Sequence, residues 1–120
     1  MPTYSFSRQS RLLDASAFRA VFKEGRRVKR RPFQLIARPN QARRPRLGIA
    51  VSKRNVRRAS ARNLIKRLTR ESFRLHQGTL PDVDVVVLVG PAAADYGRRR
   101  YSADLAGAWA SLAQRAGGNR

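Results

Sequence analysis

The sequence has no cysteine, one histidine and only seven acidic residues among 120. Without cysteine there can be no disulfide and no thiolate metal site, so a reducing compartment is the expected home. No stretch approaches the ~18 consecutive apolar residues of a membrane span. The N-terminal MPTYSFSRQSRLL also lacks the apolar run of a secretion signal. A cytoplasmic chain with no membrane contact is expected. Hydrolysis needs a positioned base, a nucleophile or a metal cage, and the acids Asp14, Glu24, Glu71, Asp82, Asp84, Asp95 and Asp104 read instead as caps and strand ends. Asp82 and Asp84 flank a strand start, where a shared cation competes with the plainer reading of solvated turn residues. His76 ends a helix, where an imidazole suits the dipole. No GK[ST] loop, HExxH or GxSxG is present. No catalytic residue and no metal ligand is therefore assigned, and an enzyme acting by itself is not expected.

What the chain has in quantity is positive charge: 27 Lys and Arg against 7 Asp and Glu, for a net +20. Seventeen of those cations fall between Glu24 and Glu71, a window of 46 residues without one acid. Self-repulsion on this scale destabilises the free fold and favours a polyanionic partner. The length allows one domain over residues 1–120 with a modest core, a basic arm at 1–11 and a frayed tail at 117–120. Tyr4 and Phe6 could staple the arm to the domain.

Local pattern predicts the elements. Asp14 or Ser16 can cap a first helix over residues 15–24, with Phe18, Val21 and Phe22 at i, i+3, i+4 and Gly25 as the stop. Two aromatics one turn apart could form a platform for stacked bases, but aromatics at helical spacing more often pack into the core. Arg26–Arg31 reads as a basic connector. Phe33–Arg38 reads as a strand, with Phe33, Leu35 and Ala37 on one face and Gln34, Ile36 and Arg38 on the other. After the turn-rich PNQARRPR, a second strand over Leu47–Ser52 places Gly48, Ala50 and Ser52 on a nearly bare face. Such a face either admits a ligand or seats a closely packed helix. Asp82–Val89, DVDVVVLV, reads as a strand buried on both faces. A last helix begins at Tyr101 or Ser102 and aligns Leu105, Ala108, Trp109 and Leu112.

Between the second and third strands lies a basic helix, Arg58–His76, ended by Gly78 and Pro81. Its spacing places Ala61, Leu64, Ile65, Leu68, Ser72 and Leu75 on one face, predicted to be core. Arg62, Lys66 and Arg70 at i+4 steps, beside Asn63, Arg67 and Arg74, occupy the opposite half. Like charges four residues apart each cost a few tenths of a kcal/mol, so bound phosphates are the expected compensation. Helix-turn-helix, zinc-finger and RRM signatures are missing, and a basic α/β domain points to RNA.

The run RLGIAVSKRNVRRASARNLIKRLTRESFRL, Arg46–Leu75, resembles the signature region of the bacterial ribonuclease P protein subunit, in which a strand ending in S-K precedes a helix carrying R-N-R-x-K-R-x-x-R. Here that helix reads Arg62-Asn63-Leu64-Ile65-Lys66-Arg67-Leu68-Thr69-Arg70. RLL…F…VF, at Arg11–Phe22, fits the family's opening. The resemblance implies an α/β sandwich of order α-β-β-α-β-α with a left-handed βαβ crossover around the basic helix, against the usual hand. It implies a role beside the catalytic RNA subunit and the 5′ leader of precursor tRNA, one protein per RNA, with Mg2+ held mainly by the RNA. By resemblance Arg62, Asn63, Lys66, Arg67 and Arg70 face the RNA subunit, extended by Lys53, Arg57 and Arg58. Phe18, Phe22, Gln34 and Ile36 line a cleft for the leader. Leu64 departs from the family's arginine, and Gly90-Pro91 stands where many members are basic. A structural rRNA-binding ribosomal protein is the alternative, since it would share size and charge but needs no single-strand cleft. A protein-only nuclease would need the acids or histidines this chain lacks.

Overall fold

The computed structural model describes Arg11 and residues 15–118. The elements are α1 (Ala15–Glu24), β1 (Arg26–Arg30), β2 (Phe33–Pro39), β3 (Arg46–Ala50), α2 (Ala59–His76), β4 (Val83–Val89) and α3 (Arg98–Gly118). The strands form one sheet in the order β1-β2-β4-β3. β2 pairs antiparallel with β1 and β4, and β3 pairs parallel with β4, so α2 carries the crossover between them. The expected N-terminal arm, including Tyr4 and Phe6, and the cap candidate Asp14 lie outside the described residues. Ser16 sits inside the first turn of α1.

Most local expectations hold, and the differences are tertiary in origin. RRVKR was expected as a connector because only Val28 is apolar, yet it forms the edge strand β1, which adds a fourth strand to the expected three. Arg30 pairs with Phe33 across a turn at Arg31 and Pro32, and the ladder of hydrogen bonds to β2 runs back to Arg26 opposite Ala37. Val28 alone points into the core and the four cations stay exposed. The second strand starts one residue earlier than expected and ends at Ala50, leaving Val51 and Ser52 in a loop. α3 begins at Arg98, three residues before the expected start, and remains helical to Gly118 where fraying from residue 117 was expected.

The larger core lies between the sheet and the α2/α3 pair. Val28, Phe33, Leu35, Val85, Val87 and Val89 meet Ile65, Phe73, Tyr101, Leu105, Ala108 and Trp109 there. β4 is buried on both faces as its unbroken β-branched run requires, Leu88 being the half-exposed exception. The buried face of α2 is Ile65, Thr69, Ser72 and Phe73. This is rotated by roughly 70° from the Ala61–Leu75 stripe predicted at 100° per residue, and Leu75 is 57% exposed. α3 explains the rotation. Trp109 donates its indole N–H to Ser72 Oγ at 2.8 Å, and Thr69 Oγ1 lies 2.8 Å from the Tyr101 hydroxyl. Partnered in this way, Ser72 and Thr69 can be buried without the cost of an unmet polar group. Edge-on ring contacts, Phe73–Trp109 at 5.7 Å and Phe33–Tyr101 at 5.3 Å, complete the seam.

The other sheet face is only partly covered. Cross-strand register aligns three rows there: Lys29–Gln34–Leu88–Ala50, Arg27–Ile36–Val86–Gly48, and Arg38–Asp84–Arg46. α1 lies over the middle row, where Val21, Ile36 and Val86 are fully buried together. In the third row Arg46 grips Asp84 with Nε at 2.7 Å and Nη2 at 2.8 Å, and Asn40 donates to the same carboxylate at 2.7 Å. This network ties the β2–β3 loop to the sheet. It also buries and pairs Asp84 inside β4, so Asp84 is not the solvated turn residue expected, and only Asp82 stays exposed.

Candidate nucleic-acid interface

The loop before α2 holds its cations on a fixed backbone. Ser52 Oγ accepts from the Asn55 N–H at 3.1 Å, its carbonyl accepts from Val56 N–H at 3.0 Å, and Asn55 Nδ2 donates to the Val89 carbonyl at 3.1 Å. Val56 is buried as a plug, whereas Lys53, Arg54, Arg57 and Arg58 are exposed around it. α2 has no acid in its first turn and no side-chain cap at Arg58. Arg62 instead reaches back, donating from Nη1 to the carbonyls of Val56 at 2.9 Å and Arg57 at 2.8 Å. One guanidinium thus clamps the loop onto the helix while the side chain remains half-exposed.

Along α2 from there, Asn63 and Arg67 are exposed and Lys66 and Arg70 half-exposed. Ion pairs among the described residues are Arg38–Glu24, Arg46–Asp84 and Arg74–Glu71, and none draws on Lys53, Arg57, Arg58, Arg62, Lys66, Arg67 or Arg70. The basic face is therefore presented outward and is not neutralised by these carboxylates. Leu64, where the resemblance implies an arginine, is half-buried in a small groove of about 140 Å³ with Ala61, Leu68, Ala93, Ala94 and Tyr101. It packs toward the start of α3. His76 keeps its Nδ1 2.8 Å from the Ser72 carbonyl.

On the far face of the sheet, Phe18 stands over Gly48, where a Cβ would come within 2.5 Å of Phe18 Cζ. The bare strand position is thus a seat for α1 at Gly48, while Ala50 in the next row stays half-open. Phe18 and Phe22 are both half-buried, each with part of its ring packed on the middle row and part accessible. Ile36 has no exposed surface. It cannot line an accessible cleft as expected, because α1 sits directly on it. Gln34 is half-exposed and accepts a hydrogen bond from Arg27 Nη1 at 3.3 Å.

The open floor is the first row, Lys29, Gln34, Leu88 and Ala50, next to the middle row that α1 covers. It continues into two grooves at the end of the sheet. One, of about 330 Å³, is lined by Ala50, Val51, Ser52, Asn55, Lys66 and Leu88. The other, of about 650 Å³, is lined by Lys29, Arg30, Arg31, Gln34, Asn55 and Leu88 among others. Asn55 and Leu88 belong to both, so the groove beside Lys66 of the basic helix and the groove beside Lys29 of β1 adjoin, and the pair is called the channel. Sequence reading missed Lys29 and Arg27 because a run of cations carries no strand periodicity. Only pairing with β2 brings them to the sheet face.

Among the described residues, two tyrosines have perturbed acidity. Burial pushes the Tyr101 phenol up to about 12, against a smaller lowering by the Thr69 hydrogen bond. Tyr96 is raised chiefly because its hydroxyl donates to the Asp104 carboxylate. Neither belongs to the channel. The arrangement as a whole offers cations, a grooved sheet and two ring edges, a set suited to gripping phosphates and single-stranded bases.

Known proteins resemble this chain in sequence and in fold. A sequence model of the family described as Ribonuclease P matches residues 6–113. The ribonuclease P protein component of Yersinia enterocolitica is 44% identical over 109 residues, spanning 91% of this chain and 92% of that one. That of Photorhabdus laumondii is 41% identical with the same coverage. Among solved structures, the RNase P protein of Staphylococcus aureus superposes with a TM-score of 0.78 at 29% identity, covering 89% of this chain and 94% of that chain. The RNase P protein of Thermotoga maritima gives 0.74 at 28% identity, over 87% and 96%. The basic helix, the sheet it crosses and the half-covered face opposite are thus those of a family fold, and the chain belongs to the ribonuclease P protein component family.

Proposed function

We propose that the chain binds the catalytic RNA subunit of ribonuclease P through α2 and its preceding loop. In the same assembly it holds the 5′ leader of precursor tRNA along the channel, so that cleavage yields the mature tRNA 5′ end. The observation that carries this reading is the rigid display of Lys53, Arg57, Arg58, Arg62, Asn63, Lys66, Arg67 and Arg70 on one surface, free of the intramolecular ion pairs described above. Arginine forks suit phosphate oxygens, and a fixed scaffold reduces the ordering cost of binding. The leader reading rests on the accessible parts of Phe18 and Phe22, which pack on the middle row beside the open row of Lys29 and Gln34. Aromatic edges take bases without sequence preference, and the lysine draws the backbone. Ile36, in the neighbouring row, supports the site by seating α1.

The chemical step is assigned to the RNA. Among the described residues no group of three or more His, Asp or Glu could hold a metal ion, and Asp84 is engaged by Arg46 and Asn40. The described residues do not fit a divalent-ion cage. Mg2+ belongs in this reading to the RNA subunit, and the protein supplies binding and orientation. No helix of the described residues is long and apolar enough to cross a membrane, and a cytoplasmic complex with one protein per RNA is part of the proposal. The test is cleavage of precursor tRNA by ribonuclease P RNA at low Mg2+. Stimulation by the purified protein at the mature 5′ end is expected. Binding without stimulation, or cleavage by the protein without RNA, would overturn the reading.

A further inference from the structure

The sheet carries a second concentration of charge at the edge opposite α2. β1 and β3 are separated by β2 and β4, roughly 14 Å at ~4.8 Å per strand step. α2 packs over β3, whereas α3 packs over β1. On β1, Arg26, Arg27, Lys29 and Arg30 are all exposed. The first turn of α3 adds exposed Arg98, Arg99 and Arg100, with no acid among them. The two sets are joined by contacts. Arg30 lies across α3 at Gly107, where a Cβ would come within 2.6 Å of Arg30 Nη2. The Arg100 guanidinium lies 4.3 Å from the centroid of the Tyr96 ring, and the Tyr96 hydroxyl contacts both the Arg31 carbonyl and Asp104.

Asp104 lies beside this cluster, and its carboxylate accepts from Tyr96. The ion pairs among the described residues include none of Arg26, Arg30, Arg31, Arg98, Arg99 or Arg100. Cations on an exposed edge strand also keep it from pairing with another chain. That purpose accounts for a charge or two on β1. It does not account for three arginines gathered at the start of α3, where the helix dipole makes cations costly to the free protein. A bound polyanion would offset both costs.

We propose that this β1–α3 edge is a second RNA-binding surface, gripping the phosphate backbone of an RNA segment different from the one against α2. The protein then bridges two segments of its ribonucleoprotein across the width of the sheet. The inference rests on the reading that α2 binds RNA, and its test separates the two. Because the chain has no cysteine, single thiols can be placed at will. Arg26→Cys and Arg99→Cys report on the edge and Arg67→Cys on α2, each carrying a photo-crosslinker in the reconstituted RNA–protein complex. Positions 26 and 99 are expected to mark one RNA segment and position 67 another. Crosslinks from 67 alone, or from all three to one segment, overturn the bridge and leave the α2 reading standing. No RNA crosslink from any position overturns both.

An independent measure is the salt dependence of RNA-subunit binding. Arg26→Gln/Arg99→Gln avoids the packed Arg30 and is expected to lower the slope of log K against log salt by about one to two, at ~0.7–0.9 for each phosphate that the arginines neutralise. Unfolding monitored by circular dichroism is expected to match that of the parent chain or to shift slightly toward higher stability, because the helix dipole and the like charges no longer act on these positions. An unchanged slope removes these arginines from any RNA surface.

Discussion

Phe18 occupies the space that a side chain at position 48 would fill, its Cζ within 2.5 Å of where the Gly48 Cβ would stand. The docking of α1 and the absence of a side chain on β3 are one structural fact. Gly48→Ala therefore forces the Phe18 ring outward or α1 away from the sheet. Overpacking of this kind costs about 1–3 kcal/mol, to be read from urea unfolding. Phe18→Ala should relieve part of that cost, so the double variant is expected to be more stable than the sum of the two single losses. Strict additivity would show that ring and strand do not compete for the same space.

Ser72 and Trp109 form the polar point of the α2–α3 seam. Ser72→Ala leaves a buried indole N–H without its acceptor, at roughly 1–3 kcal/mol. Trp109 is the only tryptophan in the chain, so its fluorescence reports on this site directly. A change in the folded-state emission together with a lower unfolding midpoint is expected. If Ser72→Ala unfolds like the parent, the seam does not depend on that bond.

Tyr101 gives the fold a defined alkaline limit. Its phenol is pushed from 10.0 up to about 12 in the folded state by burial. The unfolded chain therefore loses this proton first as pH rises. Its contribution is fully present below pH 10 and is lost between pH 10 and about 12. At ~1.4 kcal/mol per unit that is roughly 2–3 kcal/mol. Tyr101→Phe has no such proton and should flatten the fall in stability over that window. A parallel decline in both proteins would place the titrating group elsewhere.

Arg67→Ala and Arg70→Ala should each weaken RNA-subunit binding and lower its salt slope by about one, the mark of a single phosphate left without its arginine. The folded stability of Arg67→Ala should be unchanged or slightly raised, because removing one of a set of like charges relieves repulsion. Binding titrations at several salt concentrations decide the matter. A slope equal to that of the parent would take those side chains out of the interface.

For the channel, Phe22→Ala and Lys29→Ala are expected to reduce affinity for leader-bearing precursor more than for leaderless tRNA. The difference for Phe22 should be about 1–3 kcal/mol if a base stacks on its ring. Lys29→Ala should act through charge and be felt less at high salt. Equal losses on both substrates would mean that these residues only support the fold. Ile36→Val, beneath α1, should cost about 0.5–1.5 kcal/mol of stability while leaving that discrimination intact.

The charge, the bounds of α1, the length of α2 and the buried strand β4 were legible in the sequence, because each rests on local periodicity or on composition. A 3.6-residue repeat of apolar residues favours a helix from local geometry alone, and seventeen cations without an acid in 46 residues favour an external anion whatever the fold. Which surface each element buries was decided only in three dimensions. RRVKR is a strand because β2 offers it a hydrogen-bonding edge, and that pairing brings Lys29 to the channel. Thr69 and Ser72 are interior because Tyr101 and Trp109 meet their hydroxyls, whereas Leu75, apolar but facing no partner, stays in water. Ile36 is closed off because α1 crosses the row it occupies. Periodicity fixes which residues share a face, but the depth of that face and its polar partners come from residues distant in the chain, which only folding brings together.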